Sequence, residues 1–441
     1  MNIILLSGGS GKRLWPLSND IRSKQFIKIF KSPDGKYESM AQRMYHGIMQ
    51  VAPGSRITVA TSRSQVSAIH NHLGEDIGIS VEPCRRDTFP AIALATAYLH
   101  DKKDIDGGEP VVVCPVDPYV ENDYFESLQE LGNRAQHDVA KLLLMGIEPT
   151  YPSEKYGYII PESRNAVSPV HTFKEKPDET VAQSYIKQGA LWNGGVFAYK
   201  LDYVLEKAQE LLGYSSYDAL YQHYEELPKI SFDYAVAEKE SSIAVQRFHG
   251  IWKDLGTWNT LTEAMQDSVI GEAVLDETSS NTHIVNELDV PVIGLGLHDL
   301  VVAASPEGVL VADKHQSSYL KPYVEAIHQQ VMMAEKSWGS FTVLDASDCS
   351  LTIKVILLPG HAMNYHAHEH RDEVWNIVSG EGEAVVDGLM TRVHQGDIIR
   401  LPHGSRHLLS SITKLEAIEV QMGKNIDVSD KKKYEWPVES V

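Results

Sequence analysis

Cysteine is scarce: Cys84, Cys114 and Cys349 are the only three in 441 residues, scattered and odd in number. No C-x-x-C pair occurs, which argues against a disulfide framework or a thiolate zinc site and makes a reducing compartment the simpler expectation. Basic excess is lacking too. Forty Lys and Arg stand against 60 Asp and Glu, a formal net charge of −20. A dedicated binder of nucleic acid or of an anionic membrane needs basic surface, so neither partner is expected; a local cationic pocket for a phosphorylated substrate remains compatible with the balance. No apolar run is long enough to span a bilayer, and Met1-Asn2 leads into a short strand-like run without a leader pattern. Low-complexity tracts and internal repeats are also missing. Together these absences make a cytoplasmic enzyme the expectation.

At about 100–200 residues per domain, a chain of this length holds two or three. Strand-like runs "NIILLS", "RITVAT", "PVVVCPVD" and "KLLLMGIEP" alternate with helix-like "DTFPAIALATAYLHD" and "ESLQELGNRAQHD". That alternation predicts an α/β, Rossmann-like first domain over 1–268, with a mixed, mostly parallel sheet flanked by helices. Functional loops then belong at the carboxyl ends of the strands. Residues 269–333 read as a β-rich spacer and connector, with "PYVEAIHQQVMMAEKSW" (322–338) as a helix. Short alternating strands over 334–441 predict an all-β barrel.

The stretch "SGGSGKRLWPLS", Ser7 to Ser18, follows the first strand-like run. A Walker A loop would need glycine at Leu6 and Ser or Thr at Arg13; a dinucleotide fingerprint would need glycine at Leu14. Both fail. What survives is physical: glycines let backbone N–H groups approach an anion, Arg13 offers a bidentate fork to phosphate oxygens, and Lys12 adds a point charge.

Near the C-terminus, Gly360 is followed by His366-x-His368, Glu373 and Gly380, and Gly396 by Pro402-x-Gly404 and His407. These spacings match both cupin motifs. Residues i and i+2 of a strand face one side, so His366 and His368 point together, with Glu373 and His407 arriving from other segments. Three imidazoles and a carboxylate suit Zn²⁺ or a similar divalent transition metal such as Mn, Fe, Co or Ni. His361, His370 and His403 are extra to the pattern.

Further stretches follow in order: "SKQF", "EPCRRDTFPAIALA", "PVDP", "GIEPTYPSEKYGYI", "FKEKP", "WNGGVF", "FDYAVAEK" and "WKDLGTW". This series resembles the sugar-phosphate nucleotidyltransferases. It is most similar to the long bacterial mannose-1-phosphate guanylyltransferases, in which a mannose-6-phosphate isomerase-like cupin is fused at the C-terminus. The resemblance covers nearly the whole chain. It implies that GTP and α-D-mannose 1-phosphate are joined to GDP-mannose with release of pyrophosphate, and that Mg²⁺ is required.

The resemblance also implies roles. Gly8, Gly9, Ser10, Gly11, Lys12 and Arg13 form the nucleotide loop, with Arg13 and Lys24 on the phosphates. Asp117 and Asp254 hold Mg²⁺, and with Arg13 and Lys24 make up the catalytic group. Glu82, Arg86 and Asp87 lie near base and ribose, although a helix N-terminus explains Asp87 equally well. Gly157, Glu175, Lys176, Asn193 and Gly194 take the sugar phosphate. The chain departs from the family at Lys12 (usually Thr), Asp87 (usually Asn), Pro118 (usually His), His366 (often Gln) and Leu408 (usually Arg).

Alternatives stay open. The departures at Lys12, Asp87 and Pro118 leave room for another sugar 1-phosphate or another NTP. A non-catalytic nucleotide-sugar sensor with a dimerising cupin is the reading from a different class. Within the cupin, isomerase activity stands beside a purely structural role; Arg371, Arg400, Arg406 and Lys354 are the candidate phosphate anchors. The fused cupin makes a homodimer the expected assembly.

Overall fold

The computed structural model describes residues 1–8, 12–19, 21–424, 426 and 430–436, and for Lys12 the backbone alone. They divide into two compact units. The first takes Met1–Leu14, Ser23–Ser268 and Lys314–Ser318; the second takes Trp15–Arg22, Val269–Asp313 and Tyr319–Val441.

The first unit is built on a nine-stranded sheet. Its strands are β1 (Asn2–Ser7), β2 (Arg56–Ser62), β3 (Gly78–Glu82), β4 (Pro110–Pro115), β5 (Leu142–Ile147), β6 (Tyr158–Pro161), β7 (Val167–Lys174), β8 (Leu191–Lys200) and β9 (Ile243–Phe248). They lie in the order β3-β2-β1-β4-β8-β5-β9-β7-β6. The first four run parallel. β8 then enters antiparallel between β4 and β5, β5 and β9 pair parallel, and β7 is antiparallel to both its neighbours.

Both faces of this sheet are covered, so β1 can be a continuous apolar run. Alternation sorts its side chains. Ile4, with Val111 and Val113 of β4, packs in one core with α1 (Thr88–Lys103). Ile3 and Leu5, with Val112 and Cys114, pack in the other with Leu128 and Leu131 of α2 (Asn122–Gln136). Because β1 to β4 are parallel and in register, with Leu6 beside Pro115 and Ser62 beside Glu82, their carboxyl ends meet at one rim.

In the second unit, β10 (Val269–Ile270), β12 (His283–Asn286), β14 (Leu300–Ser305) and β15 (Gly308–Asp313) form one sheet, while β11 (Ala273–Leu275) and β13 (Val292–Gly294) pair parallel. The segment Trp15–Arg22 is bound into these strands. The Arg22 fork donates to both Glu287 oxygens, at 2.6 and 2.9 Å. Asn19 Nδ2 donates to Glu307 at 2.8 Å and to the Met333 carbonyl at 3.0 Å. Ser305 Oγ donates to the Pro16 carbonyl at 2.7 Å.

The same unit holds the cupin fold. One sheet joins β16 (Met333–Lys336), β17 (Gly339–Ala346), β18 (Ser350–Leu357), β20 (Arg371–Ser379), β23 (Ile398–Leu401) and β25 (Leu415–Gly423). The other joins β19 (His366–Ala367), β21 (Glu381–Val386), β22 (Leu389–His394), β24 (His407–Ser411) and β26 (Lys432–Lys433). Ile353, Val355, Trp375 and Ala417 of the first sheet share a core with Ala384, Val393 and Leu409 of the second.

The expected helix over 322–338 is not there. Only Lys321–Glu325 is helical, and it buries no residue. Tyr323 is 74% and Ile327 42% exposed, so the apolar period has no surface to cover. Without a buried face a short helix gains too little to persist, and Met333–Lys336 instead pairs with β17 as an edge strand. None of the described helices is long and apolar enough to cross a membrane.

Candidate active site

A short antiparallel ladder outside the main sheet brings two carboxylates together. Pro118–Val120 pairs with Trp252–Asp254, with Asp254 opposite Pro118, so Asp117 and Asp254 flank one end of the ladder. Pro118 thus sits in a ladder strand at a terminal position, which proline tolerates. Lys24 reaches this point from a 3₁₀ turn, Lys24–Phe26. Its Nζ lies 2.7 Å from Asp117 Oδ2 and 3.7 Å from Asp254 Oδ1. Burial would lower the ammonium pKa, but Asp117 and Asp254 outweigh it and hold it above the ordinary value.

The turn bearing Lys24 rests on a buried polar network. Gln25 Nε2 donates to Ser7 Oγ and to Gln65 Oε1, each at 3.0 Å, and Gln65 Nε2 donates to Ser23 Oγ at 2.8 Å. Such groups are fully desolvated, so each bond must be kept for the turn to stay in place. Gln25 carries no chemistry itself, and nothing in its spacing announced the role.

Two clefts open at the strand rim. The first, of about 440 Å³, is lined by Gly8, Glu82, Arg85, Asp87, Asp117, Gly195, Lys229 and Asp233 among others. Glu82 accepts a hydrogen bond from Tyr224 Oη at 2.7 Å; burial, first of all, raises its carboxyl pKa. Asp87 caps α1 by accepting from Thr88 N at 2.8 Å, in a left-handed conformation with φ 69°. Arg86 turns its guanidinium to the carbonyls of Tyr224 and Glu225. Among the described residues, the cations lining the cleft are instead its neighbour Arg85 and Lys229. The "RR" pair offered a choice that sequence could not make, and Lys229 stood in no motif. Arg13 is exposed in the turn Lys12–Leu14. Gly9, Ser10 and Gly11 lie outside the described residues, as does the side chain of Lys12.

The second cleft, of about 310 Å³, adjoins the first: Pro115, Asp117, Gly195 and Asp233 line both. Gly157, Glu175, Asn193, Gly194 and Asp254 line it too, with Tyr156 and Trp252 as an aromatic wall. Those two rings meet edge to face at 5.5 Å. A Cβ on Gly157 would come within 2.4 Å of Glu175 Oε2, so glycine is what lets that carboxylate reach the cleft. Lys176, at φ 44°, pairs with Glu175 Oε1 at 2.7 Å and is largely exposed. Asn193 Nδ2 donates to Asp233 Oδ1 at 2.6 Å. Burial, then repulsion from Glu175, pushes the Asp233 carboxyl up to about 6. Asp233 faces both clefts, yet the sequence offered only its place in "FDYAVAEK".

The cupin donors converge as their spacing predicts. Nitrogens of His366, His368 and His407 lie within 4.8 Å of one another, and all three residues are buried. Glu373 joins them, Oε1 3.2 Å from His368 Nε2 and Oε2 3.3 Å from His407 Nε2. Backbone carbonyls fix each ring: Nδ1 of His366 meets Asn364 O at 2.5 Å, Nδ1 of His407 meets Ser405 O at 3.1 Å, and Nδ1 of His368 meets Asp430 O. That leaves the Nε2 atoms facing inward, the arrangement metal-bound histidines adopt. Burial holds the His366 and His368 rings toward the neutral, ligating form. Burial would raise the Glu373 carboxyl, but the imidazoles and Arg371 around it prevail and hold it low, as a carboxylate.

Of the four candidate anchors, Arg371 alone faces these donors. It is buried, with Nε 2.9 Å from Glu373 Oε1 and Nη2 3.1 Å from His368 Nε2. Lys354 pairs with Glu416, Arg406 lies over the Tyr434 ring, and Arg400 is exposed. Leu408 is buried against Tyr365 and Val385. His403 bonds Asp372 at the surface, and His361 and His370 stand outside the cluster.

Comparison with known proteins agrees along the chain. A family model described as nucleotidyl transferase matches residues 2–269, and one described as mannose-6-phosphate isomerase C-terminal matches 324–435. A Vibrio cholerae protein named putative mannose-1-phosphate guanylyltransferase is 29% identical over 98% of this chain and 99% of its own. A Salmonella typhimurium mannose-1-phosphate guanylyltransferase is 28% identical over 98% and 97%. A Thermus thermophilus crystal structure, described as a mannose-1-phosphate geranyltransferase, is 31% identical, with a TM-score of 0.62 over 74% of this chain and 98% of that one.

Proposed function

The chain belongs to the nucleotidyl transferase family, and from that premise we propose that it makes GDP-mannose and pyrophosphate from GTP and α-D-mannose 1-phosphate. One observation carries the reading. Two clefts share Pro115, Asp117, Gly195 and Asp233, so a nucleotide in one and a sugar phosphate in the other would meet beside Asp117. The first cleft has the cations Arg85 and Lys229 for an anionic ligand. The second has an aromatic wall and carboxylates that accept sugar hydroxyls. Guanylyltransferase relatives spanning nearly the whole chain do not favour a non-catalytic sensor.

In the proposed reaction a phosphate oxygen of the sugar phosphate attacks the α-phosphorus. The bond from that phosphorus to the bridging oxygen breaks, and pyrophosphate leaves with the electron pair. The protein's part is alignment and charge stabilisation. Arg13, Lys24 and the backbone from Gly8 to Gly11 hold phosphate oxygens; Glu82 and Asp87 border base and ribose. Glu175, Asn193 and Asp233 orient the sugar, with Gly157 and Gly194 admitting it. The paired hard oxygens of Asp117 and Asp254 fit Mg²⁺, which takes carboxylates together with phosphate oxygens. When bound there it neutralises phosphate charge. The cupin donors His366, His368, His407 and Glu373 fit Zn²⁺ or a similar divalent transition metal, which would polarise a carbonyl or hydroxyl. Arg371 beside them supports a second activity, interconversion of mannose 6-phosphate and fructose 6-phosphate. A homodimer and a cytoplasmic location complete the proposal.

The test is pyrophosphate release over four NTPs crossed with several sugar 1-phosphates. Turnover is expected to be fastest with GTP and mannose 1-phosphate. No turnover with any pair overturns the enzyme reading, and a preference for another pair moves the assignment.

A further inference from the structure

Lys24, placed above on the phosphate oxygens, already has acceptors of its own in the chain. Its Nζ has three acceptors around it: Asp117 Oδ2 at 2.7 Å, Asp254 Oδ1 at 3.7 Å and the Leu255 carbonyl at 3.5 Å. The Asp117 contact is short, the Leu255 carbonyl lies at the limit of a hydrogen bond, and Asp254 adds an attraction of charge beyond hydrogen-bond distance. The Lys24 side chain is only 15% exposed, against 32% for Asp117 and 42% for Asp254. The ammonium is thus the least exposed of the three, and Asp117 and Asp254 line the second cleft while Lys24 lines neither. Two neighbouring carboxylates repel unless a cation balances them, and here Lys24 supplies that cation from within the chain.

A magnesium ion would need carboxylate oxygens at about 2.0–2.1 Å. Asp117 Oδ2 cannot hold a metal at that distance and the Lys24 ammonium at 2.7 Å without forcing two cations close together. We infer that Lys24 is a resident stand-in for the divalent cation: before nucleotide arrives it holds Asp117 and Asp254 together and keeps free metal off them. The inference rests on the proposed metal role of that pair. A triphosphate gives the ammonium new oxygen partners and brings negative charge of its own. Both effects loosen the Lys24 pairing and favour a metal at Asp117 and Asp254. Metal then enters with the nucleotide rather than ahead of it, and an enzyme idling without substrate does not hold the ion.

The measurement is Mn²⁺ binding to the full chain without nucleotide, by titration calorimetry and by the paramagnetic resonance of free Mn²⁺. The cupin site is common to every variant, so differences between variants report on the transferase half. Lys24→Met is expected to gain a Mn²⁺ site at least tenfold tighter than any the wild type shows at the pair. Lys24→Arg, which keeps the charge, should bind as the wild type does, and Lys24→Met/Asp117→Asn should lose the gain. Lys24→Gln, shorter but polar, serves the same comparison if Lys24→Met does not fold. Unchanged or weaker Mn²⁺ binding in both neutral variants overturns the inference. The metal role itself is read separately, from GTP-dependent Mn²⁺ binding in wild type and Asp254→Asn. If that binding is lost in Asp254→Asn while the neutral variants show no gain, the stand-in role fails and the pair remains the metal site. If it survives in Asp254→Asn, the reading of the pair fails as well.

Discussion

Asp233 shows how a single side chain can serve two clefts at a cost to the fold. Its carboxyl is raised from an ordinary 3.8 to about 6, first by burial and then by Glu175. Between those values the folded chain keeps a proton that the unfolded chain has released. Stability therefore falls as pH rises from about 4 to 6, by on the order of 2–3 kcal/mol in all. Asp233→Asn removes that slope and leaves a carbonyl oxygen for the Asn193 amide. Its urea midpoint at pH 7.5 is expected to exceed that of wild type, while KM for the sugar phosphate rises; an equal pH slope in both proteins would count against a raised Asp233. Gly157→Ala tests the same cleft from another side. The added methyl meets the movable end of Glu175, so KM for the sugar phosphate should rise about tenfold with little change in Tm. In the cupin, His368→Ala should lower bound transition metal by elemental analysis, and unchanged content would speak against ligation. Residues with fixed spacing, such as His366, His368, Glu373 and His407, were legible in the sequence because they stand at the spacings of two motifs, and for His366 and His368 the period of two adds that they share a face. Asp233, Gln25 and Lys229 were not, because their positions depend on which loops meet at the rim.

At the scale of elements, the strands of the α/β sheet were legible wherever both faces are covered, since a fully buried strand must be apolar throughout. The connector near 330 failed for the opposite reason: its helical period had nothing to pack on, and edge pairing to β17 took its last residues. The N-terminus of α1 is a sharper case. Asp87 was expected near the nucleotide, and a cap explained it equally well; the structure gives it both positions, lining the cleft and bonding Thr88 N. The two roles separate by substitution. Asp87→Asn keeps an acceptor and tolerates the positive φ, so stability should hold. Asp87→Ala loses the acceptor, and with it the local hydrogen bond that helps a non-glycine residue tolerate a positive φ, costing about 1 kcal/mol or more in chemical denaturation. A rise in KM for GTP in Asp87→Asn at full stability would mark contact with nucleotide, and its absence would leave the cap as the whole role.

For the whole molecule, the sequence suggested three segments laid end to end, over 1–268, 269–333 and 334–441, whereas the chain clusters into two units, with one change of unit after Ser268. What the sequence did not suggest are the further crossings, a return of Lys314–Ser318 to the first unit and an excursion near the start. The chain leaves the first unit after Leu14, spends Trp15–Arg22 among the strands of the second, and returns at Ser23. No local signal marks this, because Arg22 is defined by a carboxylate 265 positions away. The Arg22 side chain is 9% exposed and that of Glu287 25%, so Glu287→Ala leaves a mostly buried cation without its bidentate partner. A loss on the order of 2 kcal/mol is expected from urea unfolding, accompanied by a drop in kcat, since Arg13 and Lys24 lie two residues beyond the two ends of the segment. Stability loss without any change in kcat would confine the ion pair to a scaffolding role.

That early excursion bears on how such a gene could be recombined. A chimera joined at residue 268, pairing this N-terminal portion with the C-terminal portion of a relative, would inherit Trp15–Arg22 from one parent and Ser305, Glu287 and Glu307 from the other. The junction that matters for compatibility is therefore not at the splice, but eight residues near the start of the chain. Productive exchanges should be those that carry these eight residues across together with the strands that hold them.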